Sequence, residues 1–341
     1  MMFFLGLFLP GCQTTTGQAI DRIAFDQLKA HDGVHSFALS SPSDGRLIID
    51  DVKIGDKQFS FLIDSAATRS AIFENALNRT PLQAEYDERV NVHGMVDTDN
   101  RGLVLVPELS VGELKFGPRK MVILSDQVLG RSQRQRIDGL IGMDILENYR
   151  IFVDYADNQL SFIPNELPPV RLPHSWKKLT LNTNPVKESG HPLHFVSVDI
   201  AGRKTPMLFD TGSVFSAMNW RAARFAEMKW EKRRLRKQWE IAGAVGQFSP
   251  KTLINMTYLQ GGKKKWYDKK FIVMDFNNAE EMGLKDEAMA LGGMNLYKEG
   301  NFFIDFDAGI VAFQPRDREF QRYSNGNKVR VGSGKINGKR S

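Results

Sequence analysis

Two short segments combine residue types that could activate water: Asp64-Ser65-Ala66 and Asp210-Thr211-Gly212-Ser213. Each follows an apolar run, Phe61-Leu62-Ile63 and Met207-Leu208-Phe209, whose composition predicts a buried strand. A carboxylate at the end of such a strand is costly to desolvate unless something pairs with it. If the two strand ends meet, the carboxylates cannot both ionise; they share one proton, with a water between them. Such a pair offers a general base for the water and a general acid for a leaving amine. Its apparent pKa values belong to the pair, not to either Asp. A single Asp-Thr-Gly would be a weak signal, because Asp and Gly crowd turns for conformational reasons.

The strength lies in a repeat that carries both segments. Val52-Lys53-Ile54-Gly55-Asp56-Lys57 aligns with Val198-Asp199-Ile200-Ala201-Gly202-Arg203 at an offset of 146, the same offset that lays Asp64 on Asp210. Val92-His93-Gly94-Met95 matches Ile241-Ala242-Gly243-Ala244, and Gly112 matches Gly261, both at 149. Gly139-Leu140-Ile141-Gly142-Met143-Asp144 matches Ala290-Leu291-Gly292-Gly293-Met294-Asn295 at 151, as does Phe152-Val153-Asp154-Tyr155 with Phe303-Ile304-Asp305-Phe306. Five blocks in one order, drifting only from 146 to 151, describe a duplicated, mostly β unit with small loop insertions. Two copies related by a pseudo-twofold axis would bring Asp64 and Asp210 together on that axis.

With these motifs in register, the chain resembles the retropepsin-like aspartic proteases. Asp210-Thr211-Gly212-Ser213 is similar to their Asp-Thr/Ser-Gly motif. The blocks ending Gly142-Met143-Asp144 and Gly293-Met294-Asn295 are similar to their hydrophobic-hydrophobic-Gly element. The resemblance runs from about residue 46 to 315. It implies an all-β fold of two pseudo-symmetric retropepsin/pepsin-like β-barrel lobes around a central cleft, each giving one catalytic Asp and needing no cofactor or metal. It also implies that the Ser65 and Thr211 hydroxyls cross-link the catalytic loops, and that segments 92–96 and 241–246, with His93, Gly94, Gly243 and Gly246, are flaps over an extended substrate held through its backbone. Both half-sites lie on one chain, so a monomer suffices. Two positions depart from the family pattern. Ala66 stands where Gly is expected and adds a Cβ at a place of close approach, and Val214 replaces a hydroxyl residue that the first copy keeps as Thr68.

The remaining elements follow from composition. A chain of 341 residues suggests two domains or two lobes. The expected division is 1–11 signal peptide, 12–45 tether and N-terminal segment, 46–164 first lobe, 165–174 proline-rich linker, 175–315 second lobe and 316–341 basic disordered tail. Short helices are expected after the Asp strands, around 73–78 and 220–228. The formal charge of +6 invites a nucleic-acid reading, but residues 316–341 hold eight Lys/Arg and two Asp/Glu, so the remaining body is balanced at 38 against 38. No nucleic-acid partner is expected. The single Cys excludes an intrachain disulfide or a Cys-rich zinc site. It lies in Leu9-Pro10-Gly11-Cys12, after an apolar run too short to span a bilayer but suited to a signal peptide. That end resembles a bacterial lipobox, although no Lys or Arg precedes it and Pro10 is unusual there. The resemblance implies lipidation at Cys12, a flexible polar tether after it, and a body anchored in the bacterial outer membrane facing the periplasm.

The other chemistry-bearing residues read as structural. Asp154 and Asp305 are expected as structural pairs within hairpins, and His93 as a flap residue that is solvent-facing or touches substrate. His191 and His194 are rejected as metal ligands for want of a helix to align them and of a nearby carboxylate. Gly332-Ser333-Gly334-Lys335 follows no strand, so it is not a phosphate loop. The runs 232–237 and 263–265 read as solvated basic faces, the first able to select acidic substrate residues. The reading is an aspartic endopeptidase acting on proteins or peptides outside the cytoplasm. The alternatives are a catalytically weak peptide-binding or scaffold protein that keeps the cleft, and a basic adaptor working through its tail.

Overall fold

The computed structural model describes residues 22–40, 45–126, 136–186, 190–227, 231–234, 241–242, 245–250 and 252–315. The signal peptide, Cys12, Gly243 and the tail 316–341 lie outside the described residues.

Strand formation tracks the alternation of apolar residues. In Lys57–Ile63, Phe61 and Ile63 enter the main core while Leu62 faces a separate apolar cluster, the period of two expected of a pleated strand. In Arg203–Phe209, Met207 and Phe209 enter the same main core and Leu208 enters the counterpart cluster. Both strands pair in parallel with the repeat's last block, in equivalent register: Phe61 with Gly139 and Ile63 with Ile141, Met207 with Ala290 and Phe209 with Gly292. The duplication is therefore one of structure, down to individual residue pairs.

The first lobe is a nine-stranded sheet ordered Ala84–His93, Thr98–Val106, Arg119–Leu124, Ala71–Phe73, Gly139–Ile141, Lys57–Ile63, Ile48–Ile54, Leu109–Val111 and Leu114–Phe116. The second lobe repeats that order from Glu231–Arg234 through Thr252–Gly261, Lys264–Val273, Ser216–Met218, Ala290–Gly292 and Arg203–Phe209 to Pro192–Ile200. The fold is all-β and two-lobed, with a closed six-stranded barrel. Short helices follow the Asp strands at Glu74–Leu77 and Trp220–Glu227.

The lobes are joined by a shared sheet. Lys177–Pro185, Ile310–Phe313, Phe302–Asp305, Tyr149–Asp154, Gln159–Pro164 and His35–Ala38 extend the second lobe's sheet across the molecule. At its centre Phe152 pairs with Phe303 in antiparallel register, two residues related by the 151-residue offset, so the pseudo-twofold axis runs through that pair. Asp154 and Asp305 cap their own hairpin turns, Asp154 Oδ1 accepting from the Ala156 and Asp157 amides and Asp305 Oδ1 from the Ala308 amide, and each also bonds across the lobes. Asp305 meets Arg150 at 3.2 Å, Asp154 accepts from Asn301 Nδ2 at 3.0 Å, and Lys29 adds a further ion pair to Asp154. The twofold pairing adds the opposite lobe's residues to the partners each carboxylate has in its own hairpin.

The expected tether after Cys12 lies outside the described residues, and the N-terminal segment that follows from Arg22 is folded against the body. Ile23–Ala24 pairs with Val170–Arg171, Phe25–Ala30 forms a 3-10 helix, and His35–Ala38 edges the shared sheet. Leu28 is fully buried with Phe152, Trp176 and Phe303. This apolar content is enough to dock the segment under the lobe junction, so residues from Arg22 onward belong to the folded body.

Candidate active site

Each Asp stands where its strand leaves the sheet. The Asp64 amide donates to Ile141 O at 2.9 Å and the Asp210 amide to Gly292 O at 3.1 Å, extending the parallel pairing by one residue. The chain then doubles back so that each carboxylate accepts from its own loop. Asp64 Oδ1 takes the amides of Ala66 and Ala67 at 2.9 and 3.1 Å, and Asp210 Oδ1 takes those of Gly212 and Ser213 at 2.8 and 2.9 Å. Two amide donors fix each carboxyl plane and leave Oδ2 free of these loop bonds.

The loops interlock across the axis. The Ser65 amide donates to Thr211 Oγ1 at 3.0 Å, and the Thr211 amide donates to Ser65 Oγ at 3.1 Å. Each hydroxyl in turn donates to the opposite strand, Ser65 Oγ to Phe209 O at 2.7 Å and Thr211 Oγ1 to Ile63 O at 2.8 Å. Both side chains are buried, so these four bonds satisfy groups that have no access to water. They tie the loop carrying Asp64 to the loop carrying Asp210. A Cβ built on Gly212 would lie 2.4 Å from Asp64 Cγ, which is why the second loop carries glycine.

The electrostatics follow from this enclosure. Burial pushes Asp64 up to about 6, against two backbone hydrogen bonds that pull it down. Asp210, only 5% exposed, is pushed well above the carboxylate range by burial and then by the negative charge of Asp64. Between the two transitions the pair holds a single proton, the state in which one carboxyl can accept a proton and the other donate one.

Behind the loops lies support that the sequence reading did not include. Ser70 Oγ donates to Asp144 at 2.7 Å and accepts from the Gly142 amide at 3.1 Å. At the same place in the second lobe Ser216 Oγ donates to Asn295 at 2.6 Å and accepts from the Gly293 amide at 3.0 Å. This explains why an Asp or Asn follows each Gly-Met. Ser70 and Ser216 are separated by the same 146 residues as the two aspartates, and that spacing was the signal available. The unexpected Gly292, opposite Ile141, is explained by Tyr297: a Cβ there would stand 2.2 Å from its hydroxyl oxygen.

The first flap is the hairpin of Ala84–His93 and Thr98–Val106, and the second pairs Ile241–Ala242 with Gln247–Phe248. Their tips meet: a Cβ on Gly94 would lie 3.2 Å from the Val245 amide nitrogen, and one on Gly246 would lie 3.0 Å from Asp97 Cβ. The first tip is also tied to the second lobe. The Asn277 amide donates to Met95 O at 3.0 Å, Asn277 Nδ2 donates to Val96 O, and His93 Nδ1 lies 3.1 Å from Glu281. His93 thus faces the second lobe, not solvent. Met95 and Val96 pack, with Ala66, against the apolar cluster containing Leu208 and Leu291.

His191 and His194 have different surroundings. His191 Nδ1 lies 3.0 Å from Glu147, a carboxylate partner not expected from the sequence. His194, three residues on along the strand, is buried against Phe306 and held down to about 4 by that burial.

Residues 51–145 match the model of the aspartyl protease family. The first lobe is a retropepsin-like aspartyl protease domain. That match ends after the Gly142-Met143-Asp144 block, and the second lobe is tied to the protease domain by the repeat and the shared register. No curated protein sequence matches the chain.

Proposed function

We propose that this protein is an aspartic endopeptidase that hydrolyses peptide bonds with a water activated between Asp64 and Asp210. The observation carrying the proposal is the interlocked pair of loops that seats the two carboxylates together with unlike proton affinities. Ionised Asp64 takes a proton from the water as its oxygen attacks the peptide carbonyl, and Asp210 gives its proton to the carbonyl oxygen. Collapse of the resulting diol passes the Asp64 proton to the leaving nitrogen while Asp210 recovers a proton from a diol hydroxyl. No covalent intermediate, metal or cofactor enters, and both carboxylates come from one chain. Purified protein incubated with an unfolded protein should produce fragments, equally well with a chelator or with serine- and cysteine-directed reagents present. Absence of fragments, or their loss with any of these reagents, overturns the proposal.

The setting we propose is the bacterial cell envelope, with the chain lipidated at Cys12 and its substrates outside the cytoplasm. The apolar run ending in Cys12 supports this. Among the described residues no helix is long and apolar enough to cross a membrane. Labelled fatty acid should enter the wild-type chain and not the Cys12→Ser variant.

One observation favours a second reading, a weakly catalytic peptide binder that keeps the cleft. Ala66 is the counterpart of Gly212, whose place has no room for a Cβ beside the opposite carboxylate. Ala66→Gly should raise kcat/KM severalfold if its methyl displaces the dyad, measured on one reporter peptide. An unchanged value shows that the loop, which retains both amide bonds to Asp64, already accommodates Ala66.

A further inference from the structure

The two halves of the site are alike at the aspartates and differ five residues on. The 146-residue offset that lays Asp64 on Asp210 lays Arg69 on Phe215. The structure holds these two residues in equivalent backbone positions. A Cβ on Gly142 would lie 2.6 Å from Arg69 C, and a Cβ on Gly293 would lie 2.3 Å from Phe215 O. The residue after each is a buried serine turned inward, Ser70 onto Asp144 and Ser216 onto Asn295. Each lies five residues beyond its aspartate, so the pseudo-twofold relation puts Arg69 and Phe215 on opposite sides of the axis.

Neither residue has a structural reason for its chemistry. Phe215 is 43% exposed, one of few large apolar side chains so open among the described residues. Arg69 is part-exposed and makes no ion pair among the described residues. The nearest acidic position on its loop support, Asp144, is already engaged by Ser70 and by Arg119 at 3.4 Å. A free guanidinium on one side of the dyad and a bare phenyl ring on the other make a pseudo-symmetric cleft asymmetric. A twofold cleft alone would accept an extended peptide in either direction.

We propose that Arg69 and Phe215 fix the direction of the bound peptide, Arg69 pairing with an acidic side chain on one side of the scissile bond and Phe215 packing on an apolar one on the other. This rests on the endopeptidase reading of the same site. One charge-assisted hydrogen bond corresponds to about tenfold or more in affinity, enough to select one orientation.

The test is the cleavage motif read by mass spectrometry from a proteome-derived peptide library, for wild type, Arg69→Glu and the exchange variant Arg69→Phe/Phe215→Arg. The wild type should show Asp/Glu enriched on one side and apolar residues on the other. Arg69→Glu should lower kcat/KM for an acidic motif peptide about tenfold and spare its Lys-substituted analogue. The exchange variant should invert the order of the motif. Cleavage with no acidic-apolar order, or with an order the exchange leaves unchanged, overturns the directional role while the endopeptidase reading stands. If no peptide is cleaved, fluorescence polarisation of labelled peptides carrying Asp and Phe on opposite ends decides. Binding about tenfold weaker in Arg69→Glu keeps the directional role and removes the endopeptidase. Binding indifferent to Arg69→Glu removes both.

Discussion

Thr211→Val isolates the bonds that hold the two halves of the site together. Valine has nearly the volume of threonine and suits the buried position, so the change removes a hydroxyl without opening a cavity. Thr211 Oγ1 accepts from the Ser65 amide at 3.0 Å and donates to Ile63 O at 2.8 Å, and the residue is 1% exposed. Both backbone partners would be left buried and unpaired, each costing about 1–3 kcal/mol. The lost hydroxyl no longer has to be desolvated, which returns about 1 kcal/mol. The expected net loss is about 1–5 kcal/mol, read as a lower urea midpoint at unchanged slope. Thr211→Ser, which keeps the oxygen, should lose less than about 1 kcal/mol, the range for removing one methyl. Peptide cleavage should fall in Thr211→Val and survive in Thr211→Ser, because carboxylate alignment depends on the same two bonds. A loss below about 0.5 kcal/mol in Thr211→Val, within the range of an ordinary surface change, would refute the idea that the interlock bears stability.

Further outcomes follow from the site and its flap. Both aspartates hold protons more tightly folded than unfolded, so the folded state binds more protons from the ordinary carboxylate range upward. Their contribution to stability must then fall as pH rises through about 6 and beyond; in Asp64→Asn, which removes one of the causes raising Asp210, the 13C chemical shift of the Asp210 carboxyl should titrate at lower pH than in wild type, and an unchanged midpoint would contradict the coupling. Activity should rise through about pH 6, as the pair gives up its first proton, and fall again as it loses the second. At the flap, Asn277→Ala removes the side-chain bond to Val96 O while keeping the backbone bond to Met95 O. Amide exchange across residues 94–98 should speed up severalfold, and unchanged protection would show that the tip is held by packing of Met95 and Val96 alone.

What the sequence disclosed depended on whether a residue has a counterpart. The aspartates, the hydroxyls beside them and the Gly-Met-Asp/Asn blocks recur at nearly constant offsets because each must be present twice to make a twofold site. The interlobe bonding of Asp154 and Asp305 was not legible, since a repeated Asp before a turn has the same local pattern whether its partner is its own hairpin or the other lobe. The Asn277–Glu281 latch was missed for a different reason. It falls between Gly261 and Ala290, where the offset changes from 149 to 151, so no matched residue marks it. The docking of residues 22–40 was hidden by a polar composition in which a few side chains, Leu28 and Phe37 among them, supply the burial.

The most direct test of the account is the cleavage rate of one reporter peptide by wild type, Asp64→Asn and Asp210→Asn, each shown to be folded by its near-ultraviolet circular dichroism. Asparagine keeps the shape of aspartate and its hydrogen bonds but can neither take nor release the shared proton. The account predicts loss of at least about a hundredfold in kcat for each variant, the scale of a general acid–base contribution, with peptide affinity retained. Near-wild-type turnover in either variant would contradict it, because a dyad cannot work with one carboxyl.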